Sequence, residues 1–227
     1  MRDRAKYISS WHTQLKKIVE LDRNNKYYLS VYENDSTDGT KDIIKNLDFS
    51  FFRDYKIESE VLNTTKYPSI INKERVELLA QARNKSLYNN EFLQKCSHVM
   101  VVESDIIYDP KEIVDKIINF GEYDIISPRS TTPGCKLYDE WATRETASHL
   151  RWSTPNQGIP YDLKEVWSTF NCLCLYKAEP IKLGITFGGH NERLNSFDCD
   201  TVVICENFRK NGYSKIVLNG QVEILHE

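Results

Sequence analysis

His98-Val-Met-Val-Val-Glu103-Ser-Asp105-Ile-Ile-Tyr-Asp109-Pro110 (HVMVVESDIIYDP, 98–110) joins an apolar run to two carboxylates one residue apart. The run 98–103 reads as a strand buried on both faces. Charge at the mouth of such a strand is costly unless it is paired. Asp109 supplies an N-cap for the next helix, 110–120, whose first turn holds Pro110. That leaves Glu103 and Asp105 without a structural task. Two carboxylates at this spacing can hold a hard divalent cation, Mg²⁺ or Mn²⁺, with phosphate oxygens filling the remaining positions. A solvated strand end is the plain alternative.

Outward from this stretch the pattern alternates. Residues 5–21 place Tyr7, Ile8, Trp11, Leu15, Ile18 and Val19 on one helical stripe. Strands are expected at 26–33, 55–62, 98–103 and 123–128, with helices after Gly39, over 73–89 and over 110–120. This order predicts an α/β fold: a Rossmann-like, mixed but mainly parallel sheet with helices on both faces. A doubly wound sheet usually starts with a strand, whereas this chain starts with a helix. The first strand is therefore expected either upstream of Met1 or absent from the sheet. Residues 129–165 show little periodicity and read as a long functional or mobile segment. Beyond it, a strand is expected at 166–177, a Gly-rich loop at 184–196, a helix at 198–212, and closing strands at "SKIVL" and "QVEIL". No repeat or second domain is visible. The expectation is one domain over 1–227, read as two halves, 1–128 and 129–227.

The 227 residues carry a net charge of −3, which gives no basic footprint for nucleic acid. No apolar run reaches the roughly 20 residues needed to span a bilayer, and the charged start "MRDRAKYISSWH" has no signal-peptide core. None of the six cysteines forms a CxxC pair, so reduced, buried thiols are expected, with Cys172 and Cys174 on the same face of a strand. Sequons occur at Asn34, Asn63 and Asn84, two of them inside candidate site segments where a glycan would obstruct. A cytoplasmic setting is therefore expected, with Golgi association only if an anchor precedes Met1.

Acids at the carboxyl ends of strands sit where open α/β sheets bind ligands. Glu33, leading into "ENDSTDGT", is a second such acid. The turn is not an EF-hand: Gly39 in sixth position puts Lys45 in twelfth, where Glu is required. A turn with a helix N-cap is its plain reading.

Taken in order, "VYENDSTDGTKDII", "ELLAQARNKSL" and "VVESDIIYDP" resemble the nucleotide-sugar-dependent glycosyltransferases of the GT-A fold. "RDRAKYISSW", "YDEWATRE", "FNCLCLYKAEPI" and "DCDTVVICENFRKNGYSKIVLN" make the chain more similar to the fungal capsule-associated α-1,3-mannosyltransferase group. The resemblance covers nearly the whole chain. It implies a nucleoside-binding turn at Glu33, Asn34 and Asp35, and a diphosphate neighbourhood at Arg83 and Asn84. Glu103 and Asp105 take the place of the D-x-D metal motif, with Glu in the first position where the family usually has Asp. A late histidine, His226, matches a further metal ligand. Asp198 and Asp200 match the late acidic pair near the acceptor, where one could accept a hydroxyl proton. Trp141, Arg144, Phe170 and Asn171 are candidates for the sugar and acceptor pocket, since aromatic faces suit sugars and an amide bonds hydroxyls; core packing is the alternative for Trp141 and Phe170. The implied activity is metal-dependent transfer of a hexose, with mannose as the guess, from a GDP- or UDP-sugar donor to a glycan hydroxyl. The rival readings are a sugar-phosphate nucleotidyltransferase, whose N-terminal Gly-rich loop has no match here, and a non-catalytic nucleotide- or glycan-binding module.

Overall fold

The computed structural model describes residues 1–88, 91–133, 136–152 and 162–227. Helix α1 (Ala5–Leu21) buries Ile8, Trp11, Leu15 and Ile18, the stripe expected from the sequence. Strand β1 (Tyr28–Asn34) leads through a left-handed Gly39 (φ 89°) into α2 (Thr40–Lys45). Glycine meets that backbone conformation without a Cβ penalty. Strand β2 (Asp54–Glu60), helix α3 (Lys73–Tyr88), the short α4 (Phe92–Lys95) and β3 (His98–Val102) follow. After β4 (Ile106–Ile107), Asp109 accepts the Lys111 N–H as the N-cap of α5 (Pro110–Ile113). This helix widens at once into a π-turn at Val114–Ile118.

The second half contains β5 (Ile125–Thr132), β6 (Lys136–Leu137), β7 (Leu163–Glu165) and β8 (Leu173–Lys177). It continues with α6 (Ala178–Lys182), β9 (His190–Asn191), β10 (Ser196–Phe197), α7 (Asp200–Lys210) and β11 (Ile216–His226).

The main sheet has seven strands with the path β3-β8-β5-β11-β4, with β6 on β5 and β7 on β11. Its direction corrects the expectation of a mainly parallel sheet. Among the described strands only β5 and β11 run parallel within it, while β3–β8, β8–β5, β11–β4, β11–β7 and β5–β6 are antiparallel. The reason is physical. An apolar run reports burial on both faces and carries no information about the direction of the neighbouring strand. The other parallel pair, β1 with β2, forms a separate two-stranded sheet.

Helices cover both faces, as expected. Alternate strand residues feed two cores. Ile125, Cys174, Tyr176 and Leu218 pack with Val202, Cys205 and Phe208 of α7. Ile126, Leu173, Leu175 and Ile224 pack with Ile113 of α5 and Ile117 of the π-turn. A third cluster joins α1 through Trp11 and Leu15 to Val31, Ile44 and Phe49.

Several elements differ from the sequence reading, among them a short β9–β10 pair, ending at Phe197, in the expected loop 184–196. The expected strand 166–177 begins only at Leu173, because Asn171 (φ 53°) and Cys172 (φ 61°) are left-handed and break it. That turn also separates Cys172 from Cys174, which enter opposite cores rather than sharing a face. The two closing strands are one, β11, with a register shift between Asn219 and Glu223. The segment 129–165 is only partly irregular, since β5 extends to Thr132 and β6 and β7 lie within it. Cys135 falls outside the described residues.

Candidate active site

The carboxyl end of β3 delivers Glu103 and Asp105 to a cleft of about 1,210 Å³, also lined by Asn34, Arg83 and His226. The strand carries Glu103 into place through its N–H bond to the Cys172 carbonyl (2.8 Å). Asp105 is 3% exposed. One of its oxygens, Oδ2, meets Arg4 Nη1 at 2.9 Å and His226 Nε2 at 3.4 Å. The other, Oδ1, is buried with no hydrogen-bond partner. Burial pushes the Asp105 carboxyl up, but His226 and Arg4 outweigh it and hold it below the usual range.

His226 comes from the end of β11 and lies flat on Tyr138, with ring centroids 3.6 Å apart and planes 12° apart. Ligand atoms of Glu103, His226 and Cys172 all lie within 4.8 Å of one another. Burial, then the nearby Glu103 and Asp139, push the Cys172 thiol well above its ordinary range. A thiol held protonated is a poor metal ligand. The donor set of Glu103, Asp105 and His226, with one buried orphan oxygen, fits a divalent cation of the Mn²⁺ or Mg²⁺ type.

Arg83, from the inner face of α3, donates to Glu103 Oε1 (2.9 Å) and to Asp200 at the first turn of α7. It lies over Phe170 (4.7 Å) and Phe187 (5.7 Å). Burial opposes its charge, but Asp200 and Glu103 outweigh burial and hold the guanidinium charged. Its neighbour Asn84 is turned elsewhere. The Asn84 amide donates to the Phe187 carbonyl (2.9 Å) and accepts the Phe187 N–H (3.0 Å), tying α3 to the loop before β9.

The acidic turn after β1 is organised from within. Glu33 accepts the Ser36 N–H (2.9 Å) and the Ser59 hydroxyl. Asp35, left-handed at φ 57°, gathers the N–H groups of Leu62, Asn63 and Thr64 (2.7–3.0 Å) and the Thr64 hydroxyl (2.6 Å). The Thr64 hydroxyl first, then those backbone bonds, hold its carboxyl far below the usual range. Asn34 bridges Asp35 Oδ2 (3.1 Å) and Thr64 Oγ1 (3.4 Å). The turn and the 62–64 segment form one hydrogen-bonded rim over the cleft.

The late residues fall into two groups. Asp198 is gripped by Arg144 through two bonds (2.8 and 2.5 Å) and also accepts from Asn191 (2.9 Å) and the Cys199 N–H (2.8 Å). Both partners are buried, and Arg144 is fully so. Asn171 is likewise saturated. Its oxygen accepts from the Ser130 hydroxyl (2.9 Å) and its amide donates to Thr169 (2.8 Å). Phe170 is core, and Trp141 packs half-buried beside the α7 core. The structure therefore brings Arg83, Glu103, Asp200 and Phe170 together, and sets His226 near both Glu103 and Asp105. It joins Arg144 to Asp198 and leaves Asn84 and Asn171 holding backbone.

Three residues at the site had no role in the sequence reading: Arg4, Tyr138 and Asp139. Asp139 accepts the Asn171 N–H (3.0 Å). Burial and the neighbouring Glu103 push its carboxyl up to about 6 against the pull of Asn171 N–H and Arg83. "RDRAKY" and "YDEW" carry these residues, but only the tertiary fold aligns them with β3.

No helix is long and apolar enough to cross a membrane among the described residues. No curated protein matches the chain. Over residues 1–206 it matches the protein family described as Cryptococcal mannosyltransferase 1. The strand-end acids, the turn after β1, Asp198 and Asp200 all lie within that span, and the chain belongs to this mannosyltransferase family and is a glycosyltransferase.

Proposed function

We propose that the protein is a metal-dependent hexosyltransferase of GT-A type that moves mannose from GDP-mannose to a hydroxyl of a glycan. The observation that carries this reading is the buried, unpartnered Oδ1 of Asp105, whose other oxygen faces His226 at 3.4 Å, while Glu103 has a ligand atom within 4.8 Å of the same histidine. These three residues would hold Mn²⁺ or Mg²⁺, and the bound cation would supply Lewis-acid neutralisation of the leaving diphosphate.

The chain's own groups do the rest. Arg83 adds fixed positive charge beside Glu103, oriented by Asp200 from behind. The rim of Asn34, Asp35 and Thr64 frames the nucleoside. Asp198, spanned by Arg144, holds the loop into α7 in position. Asp200 is committed to Arg83, so Asp139 is the acid assigned to the acceptor's proton. Its pKa of about 6 suits a group that must both take and release a proton near neutrality.

The test is release of nucleoside diphosphate from a panel of GDP- and UDP-sugars, with Mn²⁺ and with EDTA. Turnover that needs Mn²⁺ and prefers GDP-mannose is expected. Asp139→Asn is expected to lose turnover at least 100-fold while still binding Mn²⁺. Equal turnover in EDTA would remove the metal from the account.

A further inference from the structure

The proposed reaction leaves Cys172 unused at the site. Its thiol sulfur, an oxygen of Glu103 and a ring nitrogen of His226 lie within 4.8 Å of one another. Three separate segments hold these groups. Glu103 follows β3, and its N–H bonds the Cys172 carbonyl (2.8 Å), which sets the two residues side by side. His226 ends β11 and stacks flat on Tyr138 (3.6 Å). Cys172 stands at φ 61°, directly after Asn171 at φ 53°. Successive left-handed residues other than glycine are costly and persist only where the surroundings over-determine them. Here Asp139 accepts the Asn171 N–H (3.0 Å), and the Asn171 side chain bonds Ser130 and Thr169 (2.9 and 2.8 Å). The pinned turn fixes the thiol, 2% exposed, beside Glu103 and His226.

A tetrahedral ion bound by all three sits about 2.0–2.3 Å from each donor, which places the donors roughly 3.3–3.8 Å apart. A set already within 4.8 Å closes on such an ion with shifts of about 1 Å. Three protein ligands with a fourth position open is the pattern zinc takes at catalytic sites. This set overlaps the hard-cation set: Glu103 and His226 belong to both, and Cys172 takes the place of Asp105. Each set offers two negative charges to a divalent ion once the thiol is a thiolate. Donor type separates them. Mn²⁺ and Mg²⁺ prefer oxygen and leave the thiol hydrogen in place, whereas Zn²⁺ and Cd²⁺ bind sulfur. Asp105 is not stranded when it is left out, because its Oδ2 keeps Arg4 at 2.9 Å.

We infer that the site has a second, thiophilic mode, in which Glu103, Cys172 and His226 bind Zn²⁺ or a similar soft ion and exclude the hard cation. Binding breaks the Cys172 S–H bond and forms a sulfur–metal bond, and the proton leaves to solvent. No electron is transferred. At a common set of donors Zn²⁺ binds more tightly than Mn²⁺. Zinc therefore takes the site first and holds the enzyme in a form that does not use Asp105. The exclusion of Mn²⁺ rests on the proposed function, whereas the thiophilic set rests on its own geometry.

The test titrates the reduced, metal-free protein with Cd²⁺ and reads the ultraviolet thiolate-to-cadmium charge-transfer band. A second titration starts from protein loaded with Mn²⁺ and reads released Mn²⁺ by electron paramagnetic resonance. One Cd²⁺ per chain is expected, with the band, and it is expected to release the bound Mn²⁺. Cys172→Ser should lose the band and bind Cd²⁺ about tenfold or more weakly, with its Mn²⁺ affinity kept. Asp105→Asn should keep the band while its Mn²⁺ affinity falls. His226→Gln, at a partly exposed side chain, should weaken both ions, and it keeps the test decisive where Cys172→Ser fails to fold. An equal band in Cys172→Ser assigns the cadmium to another cysteine and overturns the inference. So does Cd²⁺ bound alongside Mn²⁺, or a Cd²⁺ affinity unchanged in His226→Gln. Cd²⁺ binding with the band in a protein that takes up no Mn²⁺ upholds the thiophilic set and contradicts the proposed metal dependence instead.

Discussion

Asp105 and Asp139 are two acids treated in opposite ways. Asp105 is held ionised by His226 and Arg4, with one oxygen left over. Asp139 is held toward its neutral form, up to about 6, by burial and by Glu103. For an acid whose pKa is higher folded than unfolded, the native state binds more protons, so its contribution falls as pH rises from about 4 to 6. Replacing Asp139 with Asn should therefore stabilise the protein at pH 7 relative to pH 4, by up to about 2–3 kcal/mol from a two-unit shift. Urea titrations at the two pH values check this; an unchanged difference between variant and parent would contradict it. Arg144→Met should cost about 3–5 kcal/mol, because it strands Asp198 as an unpaired buried charge. The double variant with Asp198→Leu should recover most of that loss in the same titration. At this scale the sequence was legible where chemistry follows from local position. Glu103 and Asp105 stand at a strand end in the sequence itself. The Arg144–Asp198 pair joins residues 54 apart, and no local pattern announces it.

Asn84 and Asn171 each fasten one element to another. Asn84 ties α3 to Phe187 by two backbone bonds. Asn84→Ala should cost about 1–3 kcal/mol and speed exchange of the Phe187 amide, read by denaturation and hydrogen exchange. An undisturbed Phe187 amide would show that the loop is held elsewhere. Asn171, left-handed and buried, fixes where β8 begins. Helix positions were the most legible elements, because the stripe of Ile8, Trp11, Leu15 and Ile18 is a 3.6-residue period that only a helix satisfies. The start of β8 was not legible, since "FNCLCLYK" is apolar throughout and hides the turn at Asn171–Cys172. Strand direction was also hidden. Apolar strands buried on both faces look alike whether their neighbours run parallel or antiparallel, and most here are antiparallel.

The whole molecule closes its site by bringing the two ends of the chain together. Arg4 from the start and His226 from the end converge on Asp105, which lies between them in sequence. A cation held by Glu103, Asp105 and His226 would tie the end of β3 to the end of β11, so ligation should stabilise the fold. Mn²⁺ at a hundred times its dissociation constant is worth about 2.7 kcal/mol. For a chain of this size that corresponds to a rise of roughly 5–10 °C in melting temperature, reversed by EDTA. A melting curve indifferent to both would contradict the placement of the site. The α/β class and the family were legible from ordered motifs along the chain, whereas the separation of β1–β2 from the main sheet emerged only in three dimensions. The most direct measurement is calorimetric titration of Mn²⁺, with GDP present, into the protein and into Asp105→Asn. One ion per chain is predicted for the parent, with at least tenfold weaker binding for the variant. Equal affinity in the two proteins would contradict the assignment of Asp105 as the metal ligand and, with it, the mechanism proposed for this site.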